Sequence, residues 1–233
     1  MESLTLVMNN LRAAFENMKG SEGDDPPPTL PVVMPNGSAV AILRALVPED
    51  ADNPDLVRDL TDWRRQFMDY FLSRFSPTEV RTQNRLRELS VDANRIFFLI
   101  YTQDGELVGH YALIVHDEKT VEVDNSILGA RPPVRGLMVH TEHALLQWVF
   151  QNSPDARVIA NLLQHNVTCF MMHRATGFSL VATTNLRETV ADNGDRLLRP
   201  VTDGNVDEKD ACLLTLELDS RAYWLARNEA GYP

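Results

Sequence analysis

Apolar residues recur along this chain with two periods, and the switches between them delimit the elements. Leu4, Val7, Leu11, Ala14, Phe15 and Met18 fall at helical spacing, the single stripe of a short amphipathic helix over residues 1–18. Gly20 to Asn36, with two adjacent aspartates and Pro26-Pro27-Pro28, suits neither helix nor sheet and is expected to be an extended linker. Ser38 to Val47 is an apolar run with β-branched residues and predicts the first strand. Helical spacing resumes from Asp55 to Phe75 through Leu56, Leu60, Trp63, Phe67, Tyr70 and Phe71, and Pro77 ends it. A second helix is expected over Thr78–Leu89, its Arg81, Arg85 and Arg87 set against Glu79 and Glu88 on a solvated face.

The period then shortens. Arg95–Tyr101 and Leu107–His116 flank Gln103-Asp104-Gly105, the clearest hairpin in the chain. Thr120–Leu128 alternates, so Glu122 and Asp124 share one face of a strand while Val121 and Val123 share the other. A helix over Leu137–Phe150, a strand over Arg157–Leu163, a helix over Val167–Thr176 and a strand over Ser179–Thr184 follow. An acidic loop, 188–209, precedes a last strand at Cys212–Leu218. Hairpins mixed with strand–helix–strand segments predict an α+β domain over residues 38–233, a mixed central sheet flanked by helices. Residues 1–37 would add the amphipathic helix and its Pro-rich linker. That helix has two docking places open to it, its own domain or a partner subunit in a homodimer.

Composition narrows the function classes. With 44% apolar and 24% charged residues the chain can bury a sizeable core. Its net charge of −11 argues against gripping nucleic acid, which needs clustered Lys and Arg, but leaves room for one small anionic cofactor. Cys169 and Cys212 follow no metal spacing and suit a reducing compartment as buried thiols. No apolar run approaches the ~20 residues of a membrane span, and no secretory signal is evident, so a cytoplasmic location is expected.

Three segments carry candidate chemistry. Arg131-Pro-Pro-Val134-Arg135-Gly136 leads into the Leu137 helix, whose first N–H groups and dipole would favour a phosphate. Asn166-Val-Thr-Cys-Phe-Met-Met-His173-Arg-Ala-Thr-Gly177-Phe178 closes a strand and opens a short helix, with His173 able to act as an acid near neutral pH. Glu122 and Asp124 could take a proton from an attacking amine, or form an ordinary solvated strand face. His140 and His143 flank Glu142 on one helix without an identifiable third ligand, which argues against zinc. Ser and His occur without a nucleophile-elbow context, so a triad hydrolase finds no sequence support.

Together these segments resemble the acyl-CoA half of the GNAT acyltransferases, in which strand, phosphate-binding turn, helix, strand and helix follow in that order. Arg131 opens the turn, Val134 stands where the family has its first Gly, and Gly136 is in place. Asn166, Cys169, Gly177 and Phe178 match the next motif, with His173 where the family often has a Tyr that protonates the departing thiolate. Asp124-Asn125-Ser126-Ile127-Leu128-Gly129, Trp63-Arg64 and Gly109-His110-Tyr111 are similar to segments in members acting on amino sugars and nucleotide-linked amines. The resemblance implies a GNAT-like fold and acetyl transfer from acetyl-CoA to a primary amine of a small metabolite by direct attack. Arg131, Val134, Arg135, Gly136, Leu137, Met138 and Asn166 would hold the donor, Glu122 or Asp124 would be the base, and His173 or water the acid. Two alternatives stay open: a degenerate domain that only binds, and an aminoacyl-tRNA-dependent acyltransferase.

Overall fold

A computed structural model describes residues 2–20, 28–202, 204, 207 and 211–232, with side chains from residue 11 onward. Residues 21–27 of the expected linker, and the side chains of Leu4 and Val7, lie outside the described residues. In chain order the elements are α1 (Glu2–Lys19), β1 (Thr29–Val33), β2 (Ala39–Ala45), α2 (Pro54–Gln66), β3 (Ser73–Arg74), α3 (Glu79–Val91), β4 (Arg95–Thr102), β5 (Leu107–Val115), β6 (Thr120–Leu128), α4 (Leu137–Asn152), β7 (Arg157–Leu163), α5 (Val167–Ala175), β8 (Ser179–Val190), β9 (Arg196–Pro200), β10 (Ala211–Asp219) and α6 (Ser220–Glu229). The strands form one mixed sheet in the order β1-β2-β4-β5-β6-β7-β10-β8-β9-β3. Only the β6–β7 pairing is parallel among the described strands; the rest are antiparallel.

Hydrophobic residues are buried on both faces of this sheet. Leu11 and Phe15 of α1, Leu145, Leu146 and Val149 of α4, and Tyr223 of α6 pack on one face, with Phe98, Tyr111, Val121 and Val158 from the strands. Leu56, Leu60 and Trp63 of α2 and Leu86 and Leu89 of α3 cover the other, against Phe97, Leu99 and Ile127. The leading helix therefore docks on its own domain: Phe15 is fully buried and stacks on Trp148 with ring centroids 5.8 Å apart. Burying a side chain of that size stabilises by about 1.5–3 kcal/mol. Lys19, at the end of α1, adds a hydrogen bond to the Asp92 carbonyl at 2.7 Å.

Several expectations need correction. Part of the expected linker, Thr29–Val33, is a strand paired with β2, with Pro31 opposite Ile42. An edge strand tolerates a proline because its outward N–H has no ladder to complete. The helix expected to reach Phe75 stops at Gln66, and the chain passes through a 3-10 turn at Met68–Tyr70 into β3. There the aromatic spacing serves cation–π packing instead: the Arg64 guanidinium lies 3.4 Å from the Phe71 ring centroid and Arg81 lies 3.7 Å from that of Phe75. The acidic loop beginning at 188 is in its first part a hairpin, β8 and β9 joined through Asn193-Gly194, with Gly194 at φ 83°. Helix α6 had no expectation at all; Asp219 caps it by accepting the Ala222 N–H at 2.8 Å.

Candidate active site

Strands β6 and β7 pair for only a short distance, from Thr120 opposite Arg157 to Val123 opposite Ala160. Beyond that point β6 continues to Leu128 and β7 to Leu163 without pairing to each other, which leaves a notch through the sheet. A bulge sharpens the divergence. The β5–β6 register shifts between His110 and Ala112, and Asn125 adopts a left-handed φ of 49°. The extra residue moves the alternation by one position, so Glu122, Asp124 and Ile127 face α2 and α3. Ser126 and Leu128 turn toward α4 and α5.

On the α2–α3 side the notch opens into a cavity of about 800 Å³, with Arg64, Tyr70, Phe71, Phe75, Asp124 and Asn161 in its wall. Glu122 is half-buried there, bonded to His116 Nε2 and accepting from Asn161 Nδ2 at 3.0 Å. Asp124 accepts from Asn125 Nδ2 at 2.6 Å and faces Arg95 at 3.6 Å. Burial pushes the Asp124 carboxyl above the ordinary carboxylate range, and the nearby Glu122 charge pushes the same way. Burial likewise lowers Arg64 to about 10, against the attraction of Asp124.

Behind the notch, on the α4–α5 side, lies a polar cluster that the sequence analysis did not assemble. Glu142 is fully buried on α4, between the equally buried Thr141 and His143. Its Oε1 accepts from the Tyr111 hydroxyl at 2.6 Å and lies 2.5 Å from His173 Nδ1, while Oε2 accepts from the Thr176 hydroxyl at 2.7 Å. Burial opposes charge on both members of the pair. The Glu142 charge outweighs it for His173, whose value is raised to about 10, and His173 with the hydroxyl donors holds Glu142 below its ordinary range. His173 Nε2 faces Cys169 Sγ at 3.3 Å, and Cys169 in turn faces Ser126 across the notch at 3.6 Å. Both ring nitrogens of His173 are thus occupied, and Cys169 stands between the imidazole and the notch. Glu142, the sole acidic residue of a helix rich in buried apolar side chains, was the available signal for this cluster, because a charge there must find partners.

The turn before α4 places its only left-handed residue at Gly136, φ 77°, which is the helix N-cap and brings no side-chain cap. Leu137 and Met138 follow as the first helical residues. Val134 is half-buried against the core and needs no positive φ, so its β-carbon does not strain the turn. Arg131 and Arg135 are exposed on either side of it. His140, one turn into α4, bonds through Nδ1 with the Tyr232 hydroxyl, and His143 packs 4.2 Å from the Tyr232 ring centroid. Asn166 caps α5, its Oδ1 accepting the Cys169 N–H at 3.2 Å.

Three segments noted separately in the sequence meet here. Trp63 lies flat where a β-carbon on Gly129 would come within 1.9 Å of its ring, and it stacks on His110 at 6.2 Å. His110 Nδ1 holds the Asn125 carbonyl at 2.7 Å, inside the bulge. Gly109 approaches the Ile127 carbonyl so closely that a β-carbon would sit 2.4 Å from it. Their common task is to hold the bulged half of β6 against α2.

No family model matches the sequence, and no curated relative is found. Solved structures do match the fold. A GCN5-related N-acetyltransferase from Brucella melitensis superposes with TM-score 0.61 at 14% identity, over 82% of this chain and 80% of its own. The acetyl transferase of Salmonella typhimurium that modifies the N-terminal serine of a 50S ribosomal subunit protein gives 0.59 at 16%, over 82% of this chain and all of its own. A ribosomal-protein alpha-N-acetyltransferase in complex with coenzyme A, joined to it by a cysteine disulfide, gives 0.59 at 17%, over 83% and 99%. The chain has the mixed α+β fold of the GNAT acetyltransferases.

Proposed function

We propose that this protein transfers an acetyl or related acyl group from coenzyme A to a primary amine of a small molecule. The observation that carries the reading is the notch itself, with an uncapped helix N-terminus on one side and paired carboxylates facing a cavity on the other. The pyrophosphate would rest on the Gly136 turn, against the N–H groups of Leu137 and Met138 and between Arg131 and Arg135. Val134 supports that turn from below, and Asn166 fixes the α5 wall of the notch. The pantetheine arm would thread between β6 and β7 and bring its thioester to the cavity floor.

The amine enters from the cavity. An ammonium cannot attack, so its proton must leave first; Asp124 or Glu122, both facing the cavity, would take it. Asp124 suits the task better, because a carboxylate raised by burial is the stronger base. The aromatic rings of Phe71 and Phe75, each carrying a guanidinium, fit an acceptor with a flat or anionic portion, such as a sugar- or nucleotide-linked amine. The departing thiolate is a good leaving group and takes a proton from water or from His173. Because Cys169 covers the imidazole, a proton from His173 passes by way of that sulfur. Two free thiols are in keeping with a cytoplasmic setting.

A second acceptor class deserves a parallel assay, because one neighbour of the same fold acetylates a protein N-terminal serine. The test of the donor site is calorimetric titration with acetyl-CoA. Micromolar binding, weakened at least tenfold (about 1.4 kcal/mol) in Arg131→Ala/Arg135→Ala, is expected. No binding to the unaltered protein would remove the reading. Small amines and a Ser-initiated peptide would then be compared as acceptors at equal concentration.

A further inference from the structure

Direct attack by an amine uses the cavity side of the notch and asks of the other side no more than a proton for the leaving thiolate. That other side nevertheless carries a nucleophile, a base and an orienting carboxylate in line. Cys169 Sγ is 3.3 Å from His173 Nε2, and His173 Nδ1 is 2.5 Å from Glu142. The three differ in access in the sense such a relay requires: Glu142 and His173 are sealed from solvent, and Cys169 is half-buried at the notch. The arrangement has the geometry of an activated thiol, with the base within bonding reach of the sulfur and itself oriented by a third group. Its members come from two helices in the order Glu142, Cys169, His173, so no local motif announces them. Tyr111 and Thr176 hold the carboxylate, which leaves the imidazole little freedom to turn away.

We infer that Cys169 is a second acyl acceptor, and that in the absence of an amine the protein hydrolyses its acyl-CoA donor through an acyl-Cys169 thioester. The inference rests on the donor reading above. In the first step the Cys169 thiolate, paired with the His173 imidazolium, attacks the thioester carbonyl carbon. A new C–S bond forms to Cys169, the bond to the coenzyme sulfur breaks, and the leaving thiolate takes the proton of His173. Free coenzyme A departs and His173 is left neutral. In the second step water attacks the acyl-Cys169 carbonyl while His173 removes its proton. The Cys169 thiolate is expelled, and the carboxylic acid is released. Each cycle consumes one thioester and one water and returns the ion pair to its starting state.

Cys212 provides an internal control. Its Sγ donates to Asn185 Oδ1 at 3.3 Å. A purely structural Glu142–His173 pair would make Cys169 no more reactive toward thioesters than Cys212.

The experiment incubates the full chain with acetyl-CoA and no amine, then quenches with acid for intact-mass and peptide analysis. A parallel arm uses S-acetyl-N-acetylcysteamine, a short thioester without the nucleotide. One acetyl group on Cys169 and none on Cys212 is expected, with continuing release of free thiol. Cys169→Ala should abolish both signals, and His173→Asn should slow thiol release by about 10²-fold; melting curves establish that each variant is folded. An unacylated Cys169 in both arms, with thiol release unchanged in Cys169→Ala, overturns the inference. If the same preparation still binds acetyl-CoA and acetylates amines, the transferase reading stands without it. Acylation by the short thioester in a protein that does not bind acetyl-CoA would keep the nucleophile and remove the donor assignment.

Discussion

The two sides of the notch treat their acids in opposite ways. Glu142, on the α4–α5 side, has two hydroxyl donors and an imidazolium partner, and its charge is settled by the fold. Asp124, on the cavity side, has a neutral amide at 2.6 Å and a guanidinium only at 3.6 Å, and a neighbouring carboxylate works against its charge. Full satisfaction makes one carboxylate a fixture. Partial satisfaction leaves the other able to gain and lose a proton, which is what a base in a catalytic cycle must do.

The largest effect should come from breaking the settled side. Glu142→Ala leaves Tyr111, Thr176 and His173 without their common acceptor, and a loss of about 3–5 kcal/mol is expected in urea denaturation. The folded protein keeps the His173 proton up to about pH 10, against an ordinary value of 6.5. The contribution of the His173 proton is therefore whole below pH 6.5 and is lost as pH rises toward 10, while that of the Glu142 charge is present above its ordinary value of 4.5 and is lost in acid. Denaturation midpoints should fall across the window from pH 6.5 to 10, and His173→Asn should flatten the fall. A midpoint independent of pH in the unaltered protein would contradict the ion pair.

Next in size is the responsive side. With an amine acceptor in hand, Asp124→Asn should reduce kcat by about 10²-fold or more while leaving the KM for acetyl-CoA nearly unchanged. In the unaltered protein kcat should rise with pH through a midpoint above the ordinary aspartate value of 3.8, since the base works only when deprotonated. Unchanged kcat in both Asp124→Asn and Glu122→Gln would strip the cavity side of its role. Gly129→Ala should cost about 1–3 kcal/mol of stability, because the added carbon meets the Trp63 ring and must displace it. The smallest effect belongs to the exposed arginines taken singly: Arg131→Ala or Arg135→Ala alone should weaken acetyl-CoA binding by about threefold, near 0.7 kcal/mol.

The parts of this arrangement that depend on neighbouring residues were legible in the sequence. Alternation set the bounds of β6 and β7 as observed, and the same-face placement of Glu122 and Asp124 followed from it. The Asp104-Gly105 turn located the β4–β5 hairpin, and the Arg131–Gly136 segment opened α4 at Leu137. What was not legible depends on distant residues. Tyr111, Glu142 and His173 come from β5, α4 and α5, and nothing in local spacing says that their side chains converge. The bulge at Asn125 was hidden for a similar reason, since a one-residue register shift shows only against the partner strand. The β8–β9 hairpin was passed over because β9 is only five residues long, Arg196-Leu-Leu-Arg-Pro200, and shows no alternation of apolar and polar positions. An exposed strand needs no continuous apolar face, and its Asn193-Gly194 signal was read as loop.

The stretch from Tyr70 to Arg81 that lines the cavity is braced by a distant part of the chain. Ser73 and Arg74 of β3 pair with Leu197 and Arg196 of β9, and Arg81 reaches Asp195 at 2.5 Å in the turn between β8 and β9. These contacts fasten one rim of the molecule and touch neither the Gly136 turn nor Glu142. Insertions or deletions between Val190 and Arg196 would therefore act on the cavity through Ser73, Arg74 and Arg81, and leave the Gly136 turn proposed for the donor undisturbed. If the proposed function holds, evolution could retune acceptor choice by changing the length of one exposed hairpin while inheriting the rest intact.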